Sequence, residues 1–119
     1  MTDETYAAAR KRITKANAGL RQGQPDTFKG FNTIHHQAMQ DGALDHKTKE
    51  LVAVALSVAS RCDPCIAFHV PAALRLGATR EEIMEILSVT VLMGGGPSLM
   101  YAAHVMEAVE EELAKQAAD

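Results

Sequence analysis

The ten-residue run LVAVALSVAS, from Leu51 to Ser60, constrains the fold more than any other part of the chain. Asp45 is a good N-cap for a helix that continues through this run, and that helix is apolar on nearly all of its sides. Such a helix should be buried on nearly all sides, but a chain of 119 residues buries a limited share of its surface. We therefore expect the subunit to form a homo-oligomer through helical faces.

Caps and periodicity along the rest of the chain predict an all-α, single-domain bundle of about six helices over residues 1–119. Aromatic residues make up only 4% of the chain and Trp is absent. The apolar residues are mostly Ala, Val, Leu and Met, which suit packing of helix on helix better than a β-sandwich.

The helix ends can be placed from their cap residues. Thr2, Asp3 and Glu4 suggest a first helix that runs to about Ala18, before a linker that contains Gly19, Gly23 and Pro25. Pro25 and Asp26 are expected at the start of the second helix, and Gly42 lies after its end. Gly77 follows the end of the fourth helix, and Thr79–Glu82 form a capping box at the start of the fifth helix. Gly94–Pro97 separate the fifth helix from the last one.

Charge and segment composition exclude some classes of function. The net charge is −3 and the isoelectric point is about 5.9, so the chain has no electrostatic footprint for nucleic acid or an anionic membrane. The first residues, MTDETYAAARKR, do not have the pattern of a signal peptide, and the run from Leu51 to Ser60 is too short to span a bilayer. A cytoplasmic protein is the expectation.

The two cysteines of the chain lie in SRCDPCIAFH, as Cys62 and Cys65. The fourth helix is predicted to begin within this motif, where free backbone N–H groups and the helix dipole favour a thiolate. His69 lies four residues after Cys65 and seven after Cys62, so it shares a helix face with both. A histidine in this position can take a thiol proton as a base and return it as an acid.

Glu50, at the start of the third helix, is the candidate partner that would orient His69. If the third and fourth helices pack antiparallel across the short turn at residues 60–62, the rise of about 1.5 Å per residue allows contact without requiring it. A carboxylate in an apolar helix is costly to bury without a partner. Alternatively, Glu50 is an acid that complements the dipole at a helix start.

The residues alone leave three interpretations of the cysteines open: redox chemistry, a metal site and inert buried thiols. A zinc site needs four ligands, so Cys62, Cys65 and His69 would need a fourth. The candidates for that ligand are Glu50, His35, His36 and His104. Outside such a cluster, most histidines are structural.

The pattern of Glu50, then Cys62-x-x-Cys65, then His69 resembles the core of the alkylhydroperoxidase D / carboxymuconolactone decarboxylase family, and the surrounding residues 44–97 agree with it. The resemblance implies an all-α fold assembled as a trimer or hexamer. It implies a thiol-dependent peroxidase in which Glu50 and His69 relay protons for the dithiol, without a bound metal or cofactor. The implied partners are an organic hydroperoxide and a lipoyl-type or thioredoxin-like electron donor.

The chain departs from the family at Pro64, where better-known peroxidase members have a second histidine. Decarboxylase members lack the dithiol, so its presence argues against lactone decarboxylation. Two alternatives to the peroxidase stay open: a general disulfide reductase, and a metal-bound or non-enzymatic oligomer switched by the disulfide. Closeness to His69 and the family favour Cys65 as the attacking thiol, whereas the helix start favours Cys62 at least as much.

Overall fold

The computed structural model describes residues 3–119, and within this range the chain forms six α-helices and no strand. The all-α prediction is therefore confirmed. In chain order, the helices are α1 (Tyr6–Gly23), α2 (Pro25–Ala38), α3 (His46–Ala59), α4 (Asp63–Arg75), α5 (Arg80–Gly94) and α6 (Gly96–Ala118).

Side-chain caps begin α3 and α5 as their sequences predict. The Asp45 carboxylate accepts a hydrogen bond from the backbone N–H of Thr48 at 2.8 Å, at the start of α3. At α5, Thr79 and Glu82 form a complete capping box, in which each side chain accepts from the other's backbone N–H. These bonds satisfy donors that the first turn of a helix leaves free.

The predicted limits of α1 were wrong at both ends. Thr5 caps the helix by accepting from the N–H of Ala8 at 3.0 Å, whereas Asp3 precedes the helix and Thr2 lies outside the described residues. The helix also continues through Gly19 to Gly23. A glycine within a helix costs only about 1 kcal/mol, whereas Pro25 restricts the preceding residue away from helical geometry, so the proline sets the end.

The hydrophobic core is built by α3, α4, α5 and α6. Its fully buried valine and isoleucine side chains are Val54, Val58, Ile66, Val70, Ile83, Val105 and Val109. Helix α1 docks on this core through Tyr6 and through Arg10, whose guanidinium donates to the carbonyl of Ala67 at 2.8 Å. Neither α1 nor α2 contributes a buried residue, and α2 packs mainly on α1.

Helix α3 is not buried on all sides within one chain, contrary to what its composition suggests. Val54 and Val58 face the core, but Val52 and Leu56 on the opposite face are 45% and 61% exposed. Within residues 3–119, no helix combines the length and apolar character needed to cross a membrane.

Ile83 of α5 is fully buried and provides a test of this core. Ile83→Ala should lower the free energy of unfolding by about 2–5 kcal/mol and Ile83→Val by about 0.5–1.5 kcal/mol, since each deletion removes buried contacts and leaves a void. Urea unfolding at fixed protein concentration measures both. Glu81→Ala, at an exposed position of the same helix, is the control, and an equal effect of the two alanine variants would contradict the packing.

Candidate active site

The turn between α3 and α4 places the first cysteine. The N–H of Arg61 donates to Val58 O and the N–H of Cys62 donates to Ser57 O, both at 3.0 Å. This pair of bonds closes the end of α3 as a Schellman motif, with Arg61 in the left-handed position at φ 56°. A residue other than glycine adopts this conformation at a cost of about 1–2 kcal/mol. The turn therefore brings the chain from the end of α3 directly to the start of α4 at Cys62.

Helix α4 begins within the dithiol motif, as its sequence predicts, and Cys62 is its N-cap. Its Sγ accepts a hydrogen bond from the backbone N–H of Cys65 at 3.1 Å, and Pro64 occupies the first turn, where its missing N–H is not needed. The two cysteines form a disulfide with their Cα atoms 5.2 Å apart, and both are half-buried. A thiolate at Cys62 would keep this backbone donor and lie at the positive end of the helix dipole.

Glu50 and His69 are in direct contact. Nδ1 of His69 lies 2.8 Å from Oε2 of Glu50, whose side chain is only 3% exposed. An ionised carboxylate can only accept, so the imidazole donates from Nδ1 and keeps Nε2 as the basic nitrogen. The three-residue turn thus brings together two groups that lie 19 positions apart in the sequence.

Two further histidines lie near Glu50: sequence reasoning missed His46 as a site residue and considered His35 as a candidate zinc ligand. Nε2 of His46 is 3.6 Å from the second carboxylate oxygen, at ion-pair distance. His35 of α2 lies with its ring centroid 6.5 Å from that of His69. The four-residue spacing from His46 to Glu50 was a readable signal, because residues so spaced share a helix face. No local signal could place His35, because α2 reaches the site only through tertiary packing.

These imidazoles keep Glu50 ionised. Burial raises the pKa of the carboxyl group, but the hydrogen bond from His69 and the nearby His69, His46 and His35 together hold that pKa below its ordinary value of 4.5. The site therefore contains a buried negative charge whose direct partner, His69, projects from the helix that carries the dithiol.

His104 takes part in a second pair at the same end of α4. Its Nδ1 lies 2.6 Å from Oδ1 of Asp63, the residue between Cys62 and Pro64. Its ring makes an edge-to-face contact with that of Tyr101, and the two ring centroids are 4.9 Å apart. The sequence interpretation considered His104 only as structural or as a zinc ligand. The structure instead places it beside the dithiol motif, in contact with a carboxylate.

The zinc interpretation requires four ligands close together. Residues 3–119 contain no group of three or more His, Cys, Asp or Glu side chains arranged to hold a metal ion. His104 lies against Asp63, and Glu50 lies between His69 and His46. The two helices α3 and α4 carry a disulfide at a helix start, an imidazole with a basic Nε2 and a buried carboxylate that fixes its tautomer.

The lowered pKa of Glu50 makes part of the stability depend on pH. A carboxyl group with a lowered pKa in the folded state stabilises the fold above its unfolded value of 4.5, and this contribution is lost as pH falls through the lower folded pKa. Urea unfolding of Glu50→Gln should therefore show a weaker acid-induced loss of stability than the native chain in that window. Glu85→Gln, at an exposed position of α5, is the control. Identical acid profiles for the native chain and Glu50→Gln would contradict the arrangement.

Comparison with known proteins places this site in a family. A model of the carboxymuconolactone decarboxylase family matches residues 25–108, which include every residue of the site. Two relatives are an uncharacterized protein of Cupriavidus necator, 44% identical over 80% of this chain and 87% of that protein, and uncharacterized protein 4 in the cox locus of Paracoccus denitrificans, 42% identical over 68% and 73%.

Solved structures agree with this match. A carboxymuconolactone decarboxylase family protein of Legionella pneumophila has a TM-score of 0.87 and 50% identity, over 90% of this chain and 96% of that chain. A family protein of Thermotoga maritima, for which an involvement in the antioxidative response has been suggested, has a TM-score of 0.73 and 30% identity, over 78% and 96%. The resemblance drawn from the dithiol motif is thus confirmed, and the chain belongs to the carboxymuconolactone decarboxylase family.

Proposed function

We propose that this protein is a thiol-dependent peroxidase that reduces organic hydroperoxides with its Cys62–Cys65 dithiol. The observation that carries the proposal is the 2.8 Å contact between Glu50 and His69, on the helix face that the two cysteines share with His69. A buried carboxylate that fixes the tautomer of an imidazole near a thiol is the arrangement that activates a thiol nucleophile.

The first step is activation of the thiol. Glu50 accepts the Nδ1–H of His69, which makes Nε2 the proton acceptor and stabilises the imidazolium that forms. His69 takes the proton of Cys65, which lies one turn away on the same helix. Cys65 is assigned as the attacking thiol because of this closeness. Cys62, which caps the helix, then serves as the resolving thiol.

The oxidative half-reaction transfers one oxygen atom. The Cys65 thiolate attacks the terminal oxygen of the hydroperoxide, the O–O bond breaks, and the alkoxide takes the proton held by His69 to leave as an alcohol. Cys65 becomes a sulfenic acid. The Cys62 thiol attacks this sulfur and releases water, which gives the Cys62–Cys65 disulfide seen in the structure.

The reductive half-reaction restores the dithiol. An external dithiol reduces the disulfide by two exchange steps through a mixed disulfide and becomes oxidised itself. Overall, one hydroperoxide and one donor dithiol give one alcohol, one water and one donor disulfide. We expect a lipoyl-type or thioredoxin-like donor and a cytoplasmic location, since such donors keep thiols reduced there.

The presence of Pro64 in the dithiol motif supports a second candidate function, that of a general disulfide reductase. No imidazole lies between the two cysteines, so proton delivery to a peroxide rests on His69 alone in this mechanism. A disulfide substrate needs less proton transfer, because its leaving group is a thiolate of moderate basicity. Peroxide and a model disulfide, compared as oxidants with the same reductant, distinguish the two activities.

The peroxidase proposal predicts different defects in the two cysteine variants. Cys65→Ser should abolish consumption of an organic hydroperoxide, because no attacking sulfur remains near His69. Cys62→Ser should react once and stop at a sulfenic acid, which dimedone labels for detection by mass spectrometry. Glu50→Gln should slow the reaction by about 100-fold, at the lower end of the usual contribution of general acid–base catalysis.

Controls make this experiment decisive. His36→Ala changes an exposed histidine of α2 that has no place in the mechanism, so its rate should equal that of the native chain. Continuous turnover by Cys62→Ser would remove its resolving role. If peroxide leaves the native dithiol reduced while a model disulfide oxidises it, the disulfide reductase is the correct function.

Association of subunits is part of the proposal. Exposed apolar side chains of α3 and α5 surround a groove of about 550 Å³, which the start of α6 completes. Leu56, Val89 and Met93 in this groove are 61%, 60% and 81% exposed, and Leu92 beside it is 80% exposed. Apolar surface of this kind, extended over neighbouring helices, is typical of a protein interface. We propose that a second copy covers it, within a trimer or hexamer.

Sedimentation measures the association directly. The native chain should sediment as a trimer or hexamer of its 12.8 kDa subunit, and Leu56→Glu should shift it toward a monomer by placing a charge in the groove. Leu20→Glu makes the same chemical change at an exposed site of α1, away from the groove, and should keep the native mass. A native monomer at micromolar concentration would contradict the proposal.

A further inference from the structure

Asp63 and His104 form a pair next to the dithiol that the peroxidase mechanism does not use. Asp63 follows Cys62 and is the first residue of α4, and His104 reaches it from α6 with an Nδ1–Oδ1 distance of 2.6 Å. The side chain of His104 is 24% exposed, and its ring makes an edge-to-face contact with that of Tyr101. Packing thus fixes this imidazole against a carboxylate within the dithiol motif.

Two negative groups share the start of α4 once the disulfide is reduced. The positive end of the helix dipole stabilises a thiolate at Cys62, and it also stabilises the carboxylate of Asp63. The two groups belong to consecutive residues, so each charge disfavours the other. A positive or hydrogen-bond-donating partner on Asp63 therefore makes the thiolate easier to form.

The surroundings add negative charge to this end of the molecule. The pKa of Tyr6 is raised to about 12 by burial and by the negative charges of Glu107, Asp63 and Glu111. Arg12, which lines the cleft of about 270 Å³ beside Asp63 and Pro64, forms an ion pair with Glu4 at 2.9 Å. The titratable and charged groups that line this cleft with Asp63 are Glu4, which precedes α1, Tyr6 and Arg12 of α1, and His104 and Glu107 of α6.

We propose that Asp63 and His104 act as a tuning pair: His104 offsets the charge of Asp63 and thereby stabilises the reduced dithiol. His104 is a positioning residue in this role, since it acts on the sulfurs through Asp63. The inference rests on the redox dithiol of the proposed function. A dithiol whose thiolate is stabilised is a stronger oxidant in its disulfide form, so the pair raises the reduction potential.

The test is the equilibrium of the Cys62–Cys65 disulfide with glutathione, in which one protein disulfide and two glutathione molecules give one protein dithiol and one glutathione disulfide. At a pH where the thiolate forms, His104→Ala should lower the equilibrium constant for reduction about threefold. An effect of this size is typical of the loss of a partly exposed charge pair. Asp63→Asn should raise it by a similar factor. His104→Gln, whose amide can donate to Asp63, should restore part of the loss.

The double variant tests whether His104 acts through Asp63. In the Asp63→Asn background, His104→Ala should cause no further change, because the charge that His104 offsets is gone. A full effect of His104→Ala in that background, or changes of equal sign in the two single variants, would overturn the proposal. Native values in both single variants would overturn it as well.

Two controls separate this inference from the others. His36→Ala should leave the equilibrium unchanged, and circular dichroism shows whether each variant retains its helices. If His104→Ala does not fold, His104→Gln carries the comparison with Asp63→Asn. The measurement contains no peroxide, so a shifted equilibrium in a protein that consumes no peroxide supports the tuning pair and rejects only the peroxidase.

Discussion

The buried carboxylate of Glu50 is the constraint on which the rest of the site depends. An ionised carboxylate that is 3% exposed is unfavourable unless it is paired and hydrogen-bonded, and His69 meets this requirement at 2.8 Å. The contact holds only if α3 and α4 keep the register set by their three-residue turn. The same turn fixes Cys62 as the N-cap of α4, so the position of the dithiol and the pairing of the carboxylate are determined together.

The start of α4 carries two imidazole–carboxylate contacts with different relations to the sulfurs. His69 shares a helix face with both cysteines, and its contact with Glu50 through Nδ1 makes Nε2 the basic ring nitrogen. His104 meets Asp63 inside the dithiol motif, where it changes the charge beside Cys62 without taking part in the proposed chemistry. One helix terminus thus combines a group suited to moving protons with a group suited to setting the redox equilibrium.

Local rules predicted the helices and allowed the contact across the short turn. They did not predict features that depend on residues or helices distant in the sequence. The end of α1 was placed near Ala18 because glycine commonly ends helices, yet the exposed helix tolerates Gly19, and Pro25 decides the limit. The three-residue turn between their helices allowed the contact of Glu50 with His69 without requiring it. Asp63 and His104 lie 41 positions apart and meet only because α6 packs at the start of α4, which no local pattern encodes.

The loosely packed helix α2 connects subunit association to the site. Phe31 and Ile34 of α2 are 65% and 66% exposed, and α2 contributes no buried residue, yet its His35 lies 6.5 Å from His69. Phe31 and His35 are four residues apart and share a helix face. Whatever covers that face therefore also changes the solvent access and the electrostatic environment of His69, and through it those of Glu50. The proposed proton relay would therefore depend on apolar surfaces that a single chain leaves exposed.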